Sequence, residues 1–364
     1  MNRFVNVIVL IAVFAVVEGL GNNTENNFQT VPPDQIPGIL IMISEKTRSN
    51  YERIKTWQGE IDATVDAIYE GIAAKRILEN KRSCAGKNAE VVREHRRSTI
   101  EFVADCNEDI FYVKKYSQYP RQYIDVETVT ILCVRSNPGY NISIGTPEYQ
   151  IHCIPDSKRG DFITSRKAVK KATQERCASC GSDVFDPRSF LIPGWKFWET
   201  FPGVLQHIKE RGEFNVDGHS LKVEERTDGT ITKYRVQLPG MVSPGQYLFI
   251  TMIFSGEKGF NITSLETTGS DGKLFQKKTW VYDLADGVYL PKRTTQQNFK
   301  GENAELGYER ECIYTNLKLN QAIPEETFTY KNLGLENGDK FIDKTLDKDY
   351  IFQDGNLIPS IKKN

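Results

Sequence analysis

The last third of the chain is a succession of strand-like runs with almost nothing between them, and that leaves few ways to fold it. Gln246 to Phe254 is nearly all apolar, and Phe260 to Thr267, Lys273 to Tyr282, Val288 to Asn298 and Tyr308 to Leu319 follow it. Gly269-Ser270-Asp271-Gly272 and the segment Asp283 to Gly287 are short turns between them. Parallel neighbours need a crossover of about a dozen residues or more, whereas antiparallel neighbours need only a tight turn. The spacing therefore predicts an antiparallel meander and argues against a doubly wound parallel sheet. Gln246 to Phe254 reads as a strand buried, or nearly so, on both faces.

Upstream, Ile39, Leu40, Met42, Ile43, Tyr51 and Ile54 recur at helical spacing, which predicts a helix from Gly38 to Lys55 with Pro37 tolerated at its start. Trp57 to Ile61 reads as the first strand. Thr99 to Val103 and Ile110 to Lys114 flank a polar turn cluster and should form a hairpin. Val126 to Val134 and Tyr149 to Ile154 read as the next two strands. Residues 155–214 differ in character, Lys- and Arg-rich up to Cys177 and then Pro-, Gly- and aromatic-rich. A helix from Thr164 to Glu175, a loop, and a short helix from Gly203 to Arg211 are expected there.

At the N-terminus, Arg3 precedes an apolar run from Val5 to Val17, with small residues at Gly19 and Gly21. The run is too short to span a bilayer, which takes about 20 apolar residues, but it suits a secretory signal peptide. Cleavage is expected after Gly21, with Gly19 the other site and an uncleaved anchor the alternative. No second run of spanning length follows. The 47 basic and 48 acidic residues leave a net charge of −1, which disfavours a polybasic surface for nucleic acid. The densest basic cluster, Arg93-Glu94-His95-Arg96-Arg97, includes an acid and reads as a solvated edge.

No catalytic or metal-binding constellation stands out, and no cofactor is implied. His95, His152, His207 and His219 have no short ligand spacing, and there is no nucleophile elbow or phosphate loop. Seven cysteines in an exported chain permit disulfides but leave one over. Cys133 and Cys153 are placed to face each other across a hairpin. Cys177-Ala178-Ser179-Cys180 has redox or zinc spacing without the second pair or the strand-to-helix setting such a site requires, so a local disulfide or two plain thiols is the simpler reading.

Three stretches carry a resemblance to a known family. The runs Phe260 to Glu266, Gly272 to Trp280 and Asp286 to Arg293 resemble the C-terminal meander of the outer-membrane lipoprotein carrier (LolA-like) superfamily. Ile323 to Thr329 and Leu333 to Asp339 resemble the tail of its long, exported, planctomycete-type members. The helix leading through Tyr51 and Trp57 into a strand is similar to the family's opening. The likeness is strongest over 246–343, weaker over 39–116 and absent from the middle.

The resemblance implies an α+β, mainly antiparallel fold: an unclosed β half-barrel whose concave face is covered by helices, leaving an apolar cavity for acyl chains. After the signal segment read over 1–21, it implies one LolA-like domain over 22–364, with a helical or loop insertion or lid at 155–214. On that basis the expected function is a non-enzymatic, periplasmic or otherwise extracytoplasmic carrier or binding protein for a lipid or lipidated protein, not membrane-spanning after cleavage. The alternative is an envelope regulatory or structural module on the same scaffold that binds a protein partner; a dithiol enzyme using Cys177 and Cys180 ranks last. Ile39, Leu40, Met42 and Ile43 on the helix, and Phe249, Met252 and Phe254 on the first strand of the meander, are the cavity-lining candidates, with plain core packing the competing reading. Trp195, Phe197, Trp198 and Phe201 either plug the half-barrel as an internal lid or form a binding surface.

Overall fold

A computed structural model describes residues 27–80, 84, 86–116, 121–135, 140–146, 149–155, 170–176, 197–243, 246–301 and 304–360. The chain opens with β1 (Gln29–Thr30), α1 (Ile36–Tyr51), β2 (Thr56–Glu70), α2 (Gly71–Glu79), β3 (Val91–Asp105) and β4 (Ile110–Tyr116). Then come β5 (Arg121–Asp125), β6 (Thr130–Arg135), β7 (Tyr140–Gly145), β8 (Tyr149–Pro155), β9 (Lys170–Arg176) and α3 (Phe197–Arg211). A small hairpin, β10 (Asn215–Val216) with β11 (His219–Ser220), precedes β12 (Lys222–Asp228), β13 (Ile231–Ser243) and β14 (Gln246–Ser255). The meander continues through β15 (Asn261–Gly269), β16 (Leu274–Ala285), β17 (Val288–Lys300) and β18 (Glu305–Leu319), and a tail adds β19 (Lys340–Asp343), β20 (Lys348–Gln353) and β21 (Asn356–Pro359).

From β12 to β18 each strand pairs antiparallel with the next, so the meander forms as its turns require. β18 then pairs with β2, and β2 with β3 over their full lengths, from Thr56 opposite Asp105 to Glu70 opposite Val91. At β3 the sheet forks. Residues 99–105 pair with β4 and residues 92–95 with β5. One arm runs β4, β7, β8, β9, β19, β20, β21, and the other ends at β6. Among the described residues the sheet does not close, and α1 and α3 lie together against one face of it, the unclosed, helix-covered sheet expected from the sequence.

That face carries the main core: Leu40 and Ile43 of α1 and Phe201 of α3 meet Trp57, Ile61, Phe102, Met252, Phe254, Trp280 and Tyr282. A second core lies on the reverse side of the forked arm, where Tyr112, Ile144, Ile151 and Cys153 are covered by Leu333, Leu335 and Phe341 of the tail. On β4, Phe111 belongs to the first core and Tyr112 to the second, so this strand is buried on both faces. A third cluster, under α2, joins Ala74, Leu78, Val92 and Tyr123 around a disulfide between Cys84 and Cys133.

Several expectations need correction. Cys133 does not pair with Cys153: β6 and β8 lie on different arms of the fork, and Cys153 is a buried thiol outside any disulfide, in the second core. Of the helix expected over Thr164 to Glu175, Lys170 to Glu175 is part of strand β9, because pairing with β8 and in parallel with β19 outweighs its helix-forming composition; the rest of it lies outside the described residues. Val126 to Val134 is not one strand. The Asp125 carboxylate accepts from the backbone N–H groups of Glu127 and Thr128, which turns the chain over 126–129 and leaves β5 and β6 on either side. Gln246 to Phe254 is not buried on both faces; among its apolar residues only Met252 and Phe254 are buried. The helix expected over Gly203 to Arg211 begins at Phe197 and passes through Pro202, and the first helix ends at Tyr51. Thus strand β9 and helix α3, both within 155–214, are woven into the sheet and its cover. The signal segment, Trp195, Cys177 and Cys180 lie outside the described residues.

The turn at 126–129 leaves Val129 at φ 53°, a left-handed conformation that Asp109, Asp286 and Asp354 adopt in other turns. A β-branched side chain is strained there. Val129 is 80% exposed, so nothing packs its methyls in compensation. Val129→Asn is expected to stabilise the protein by about 1 kcal/mol, seen as a higher urea midpoint with an unchanged slope.

Candidate functional site

The inner face of the sheet is built by alternation. Strand side chains point to opposite faces with period two, and residues directly opposite in register share a face. Lys278, Trp280 and Tyr282 of β16 therefore share the inner face with Thr294 and Gln296 of β17, Arg310, Cys312 and Tyr314 of β18, and Ile61, Ala63 and Val65 of β2. Next to them on that face are Arg96, Ile100 and Phe102 of β3 and Phe111, Val113 and Lys115 of β4.

Over the apolar part of this face lies the roof. Leu40, Ile43, Thr47, Asn50 and Tyr51 follow helical spacing along the buried side of α1. Ile39 and Met42 are half-buried and pack against the same core. In α3, Phe201 and Val204 are buried and Leu205 and Ile208 half-buried, and the Phe201 ring meets Phe254 edge-on at 5.6 Å. Polar clips hold the lower end of α1. The Thr47 hydroxyl donates to the Phe260 carbonyl at 2.9 Å. The Asn50 amide accepts from the Tyr289 N–H at 2.8 Å and donates to the Tyr289 carbonyl at 3.1 Å, taking the place of a strand partner. Beneath, the Tyr282 hydroxyl donates to the Ile262 carbonyl at 2.8 Å. Burial pushes the Tyr51, Tyr282 and Tyr314 phenols well above their ordinary value, so they stay neutral donors.

The sequence-predicted residues are thus divided. Leu40, Ile43, Met252 and Phe254 meet in the core beneath the roof, with Ile39 and Met42 at its flank. Phe249 faces the other way, because it is odd in a strand whose even residues point inward. It lines an outer-face cavity of about 360 Å3 with His219, Lys222, Gln237 and Thr268. Phe197 and Trp198 open α3 as backbone positions.

The reading from sequence missed the polar belt beside the roof, between the main core and the cluster under α2. On the inner positions of β2 to β4 and β14 to β18, the charged residues are Lys278, Arg310, Arg96, Lys115 and Glu94, together with Lys300 opposite Glu305 where the pairing of β17 and β18 ends. Gln276, Gln296 and Asn298 complete the belt, joined through the Asn298 amide oxygen. Glu94 is buried and accepts from the Tyr69 hydroxyl at 3.0 Å; burial, then the carboxylate, pushes that phenol up to about 12. Lys278 is 6% exposed; burial, and then the charge of Arg310, lower its amine to about 8. Burial raises the Cys312 thiol, against the opposing charges of Arg310 and Lys115. The outer face is different: Lys277 meets Glu266 at 3.0 Å, Lys292 meets Asp283 at 3.1 Å, and Arg93 meets Asp66 at 2.8 Å. Period-two parity with Trp280, Tyr282 and Tyr314 was the signal in the sequence that the cations face inward.

A lysine with a depressed folded-state pKa binds its proton less readily in the folded than in the unfolded chain, so stability rises as pH climbs from about 8 toward the unfolded value of 10.5. Lys278→Met is expected to be more stable than wild type at pH 7, with the difference shrinking by pH 9.5. Urea unfolding at the two pH values measures it, and a difference independent of pH would refute it.

Among the described residues no group of three or more His, Cys, Asp and Glu is placed to hold a metal, and no helix is long and apolar enough to cross a membrane. No family model matches the sequence, and no curated protein matches it. Among solved structures, the chain is similar to a LolA superfamily protein from Nitrosomonas europaea, with 11% identity and a TM-score of 0.35 over 80% of this chain and 97% of that one. Another similar structure is a domain described as an outer membrane lipoprotein-sorting protein from Vibrio parahaemolyticus, with 10% identity and a TM-score of 0.39 over 82% and 99%. A third is a DUF1329 family protein from Desulfovibrio piger, with 11% identity and a TM-score of 0.28 over 81% and 98%.

Proposed function

We propose that the protein is an exported, non-enzymatic carrier or binding protein that holds acyl chains, free or on a lipidated partner, against the inner face of the half-barrel. The observation that carries this reading is the roof itself: two helices, the first tied down by a few polar clips, lie over a continuous apolar floor in a sheet that does not close among the described residues. Leu40 and Ile43 fill the space directly above that floor, so an acyl chain enters by displacing the roof. Binding then scales with apolar area, at roughly 25 cal/mol per Å2, and the roof's own contacts with the floor oppose it. The roof is therefore both the cover and the competitor.

The test is uptake of a fluorescent fatty acid by the purified, delipidated full-length protein, together with mass spectrometry of lipid extracted before delipidation. Saturable binding of about one chain per protein, abolished by Phe254→Asp on the floor, is the expected result. Absence of both uptake and co-purified lipid refutes the reading.

A further inference from the structure

The cavity of about 360 Å3 beside Phe249 opens on the side of the sheet away from the roof. Its floor follows from alternation: Lys222 of β12 stands opposite Gln237 of β13, and Phe249 of β14 opposite Thr268 of β15, in adjoining rows of one face. The β10–β11 hairpin supplies a wall through His219 and Ser220. A two-stranded hairpin is marginal by itself, but this one is clipped throughout. Asp217 and Gly218 take the positive φ values, 48° and 85°, that suit a tight hairpin turn. The Asn215 amide accepts from the Gly218 N–H at 2.8 Å and donates to the Ser220 hydroxyl at 3.0 Å. The Tyr247 hydroxyl donates to the Asp217 carboxylate at 2.9 Å and so fastens the turn to the sheet. The His219 ring lies 4.6 Å from that of Tyr247 and 5.2 Å from that of Phe249, at 84° to the latter. His219 and Phe249 therefore make a corner of two aromatic walls, held in place by the hairpin's own bonds.

We infer that this corner binds one ring of an acidic saccharide. The volume is at the small end for ligand sites, enough for one ring with its substituents and too little for a long acyl chain. The C–H groups of a sugar ring carry slight positive charge and pack well against the negative face of an aromatic ring. The polar lining mixes donors and acceptors. Gln237 donates its Nε2 to the Thr251 hydroxyl at 3.3 Å and keeps its carbonyl oxygen to accept. The Ser220 hydroxyl accepts from Asn215 and keeps its hydrogen to donate, and Thr268 adds a second hydroxyl. Sugar hydroxyls match such a mixture, since each both donates and accepts, whereas an all-carbon ring leaves it unmatched. Among the described residues, Lys222 is the one cationic side chain that lines the cavity, and no carboxylate lines it. Glu224, the next residue of β12 on that face, meets Arg235 at 3.2 Å. This lining selects a ring that carries a carboxylate, a uronate. The site is on the face opposite the roof and does not depend on the carrier reading.

The experiment titrates the purified full chain, by ligand-observed NMR and calorimetry, with glucuronate, galacturonate, their neutral counterparts glucose and galactose, and trigalacturonate. At least one uronate is expected to bind saturably and severalfold more tightly than its neutral counterpart, the scale of an exposed ion pair. A trimer that binds more tightly than the monomer identifies the end of a glycan chain as the source of the ring, and a trimer that binds no better identifies the free sugar. His219→Ala and Phe249→Leu, each removing one wall, should weaken uronate binding by about tenfold. Lys222→Met should bring the uronate down to the level of the neutral sugar and leave the neutral sugar unchanged. Matching circular dichroism spectra and urea midpoints control for folding in all three variants. Failure of both uronates and of the trimer to bind overturns the proposal. So does a wild type that binds uronate no better than the neutral sugar, or uronate binding that is undiminished when His219→Ala and Phe249→Leu are combined.

Discussion

Trp57→Ala is expected to cost about 3 to 5 kcal/mol, enough to leave much of the protein unfolded at 37 °C. Trp57 is wholly buried at the start of β2, the strand that joins the C-terminal meander to the forked half of the sheet. It stands opposite Leu319 on one side and Ala104 on the other, and its ring meets Phe102 nearly at right angles, with centroids 5.5 Å apart. No neighbour has the freedom to fill the space left behind: Phe102, Ala104 and Ile61 are each held by two flanking strands. Trp57→Phe should recover most of the loss. Chemical denaturation of the three proteins measures it, and a Trp57→Ala midpoint close to wild type would show that the two halves are joined elsewhere.

Asn50→Leu should produce the second large effect, roughly 2 to 3 kcal/mol, and should show it first in the roof. The substitution keeps the volume but leaves both the N–H and the carbonyl of Tyr289 without the side-chain partner they now have. Leaving such groups unsatisfied costs about 1 to 3 kcal/mol each when they are buried. The loss falls on the attachment of α1 rather than on the sheet. Amide exchange in 36–51 should therefore speed up more than exchange in β16 and β17, and fatty-acid uptake and release should both become faster. Uniform acceleration across the molecule would mean that α1 does not open as a unit. Arg53→Gln, which loses only an exposed 3.2 Å bond to the Gly287 carbonyl, is the control and should change little.

How much of this was legible in the sequence depended on the range of the forces involved. The meander was readable because local turns fix it: Gly269 to Gly272 and Asp286-Gly287 leave each strand only one nearby partner. Helix α1 was readable because 40, 43, 47 and 51 keep one side apolar or small. The fork at β3 was not, since nothing in Val91 to Asp105 marks where one neighbour gives way to another. The Cys84–Cys133 pairing was hidden for the same reason, its two ends being brought together by β5 and β6 docking beside the first part of β3. β9 failed because local composition favours helix while its partners, β8 and β19, are set by the whole fold. Apolar content picked out Leu40, Ile43, Met252 and Phe254, which meet in the core beneath the roof, but not the inward-facing Lys278 and Arg310. Assigning Phe249 to the hollow ignored the alternation that would also have found the cations.

The pairing of β18 with β2 also sets a timetable. Trp57 leaves the ribosome long before Leu319, its partner across the ladder, has been made. Until then one edge of β2 has no neighbour, and the floor is missing the wall that β16 to β18 provide. Such a polypeptide cannot mature piece by piece as it emerges. It must wait, unpaired and prone to wrong associations, for its final third, and then assemble through contacts between distant stretches, which are slow to form. An escort for the nascent chain would matter more here than for a protein of equal size whose neighbours in space are also neighbours in sequence.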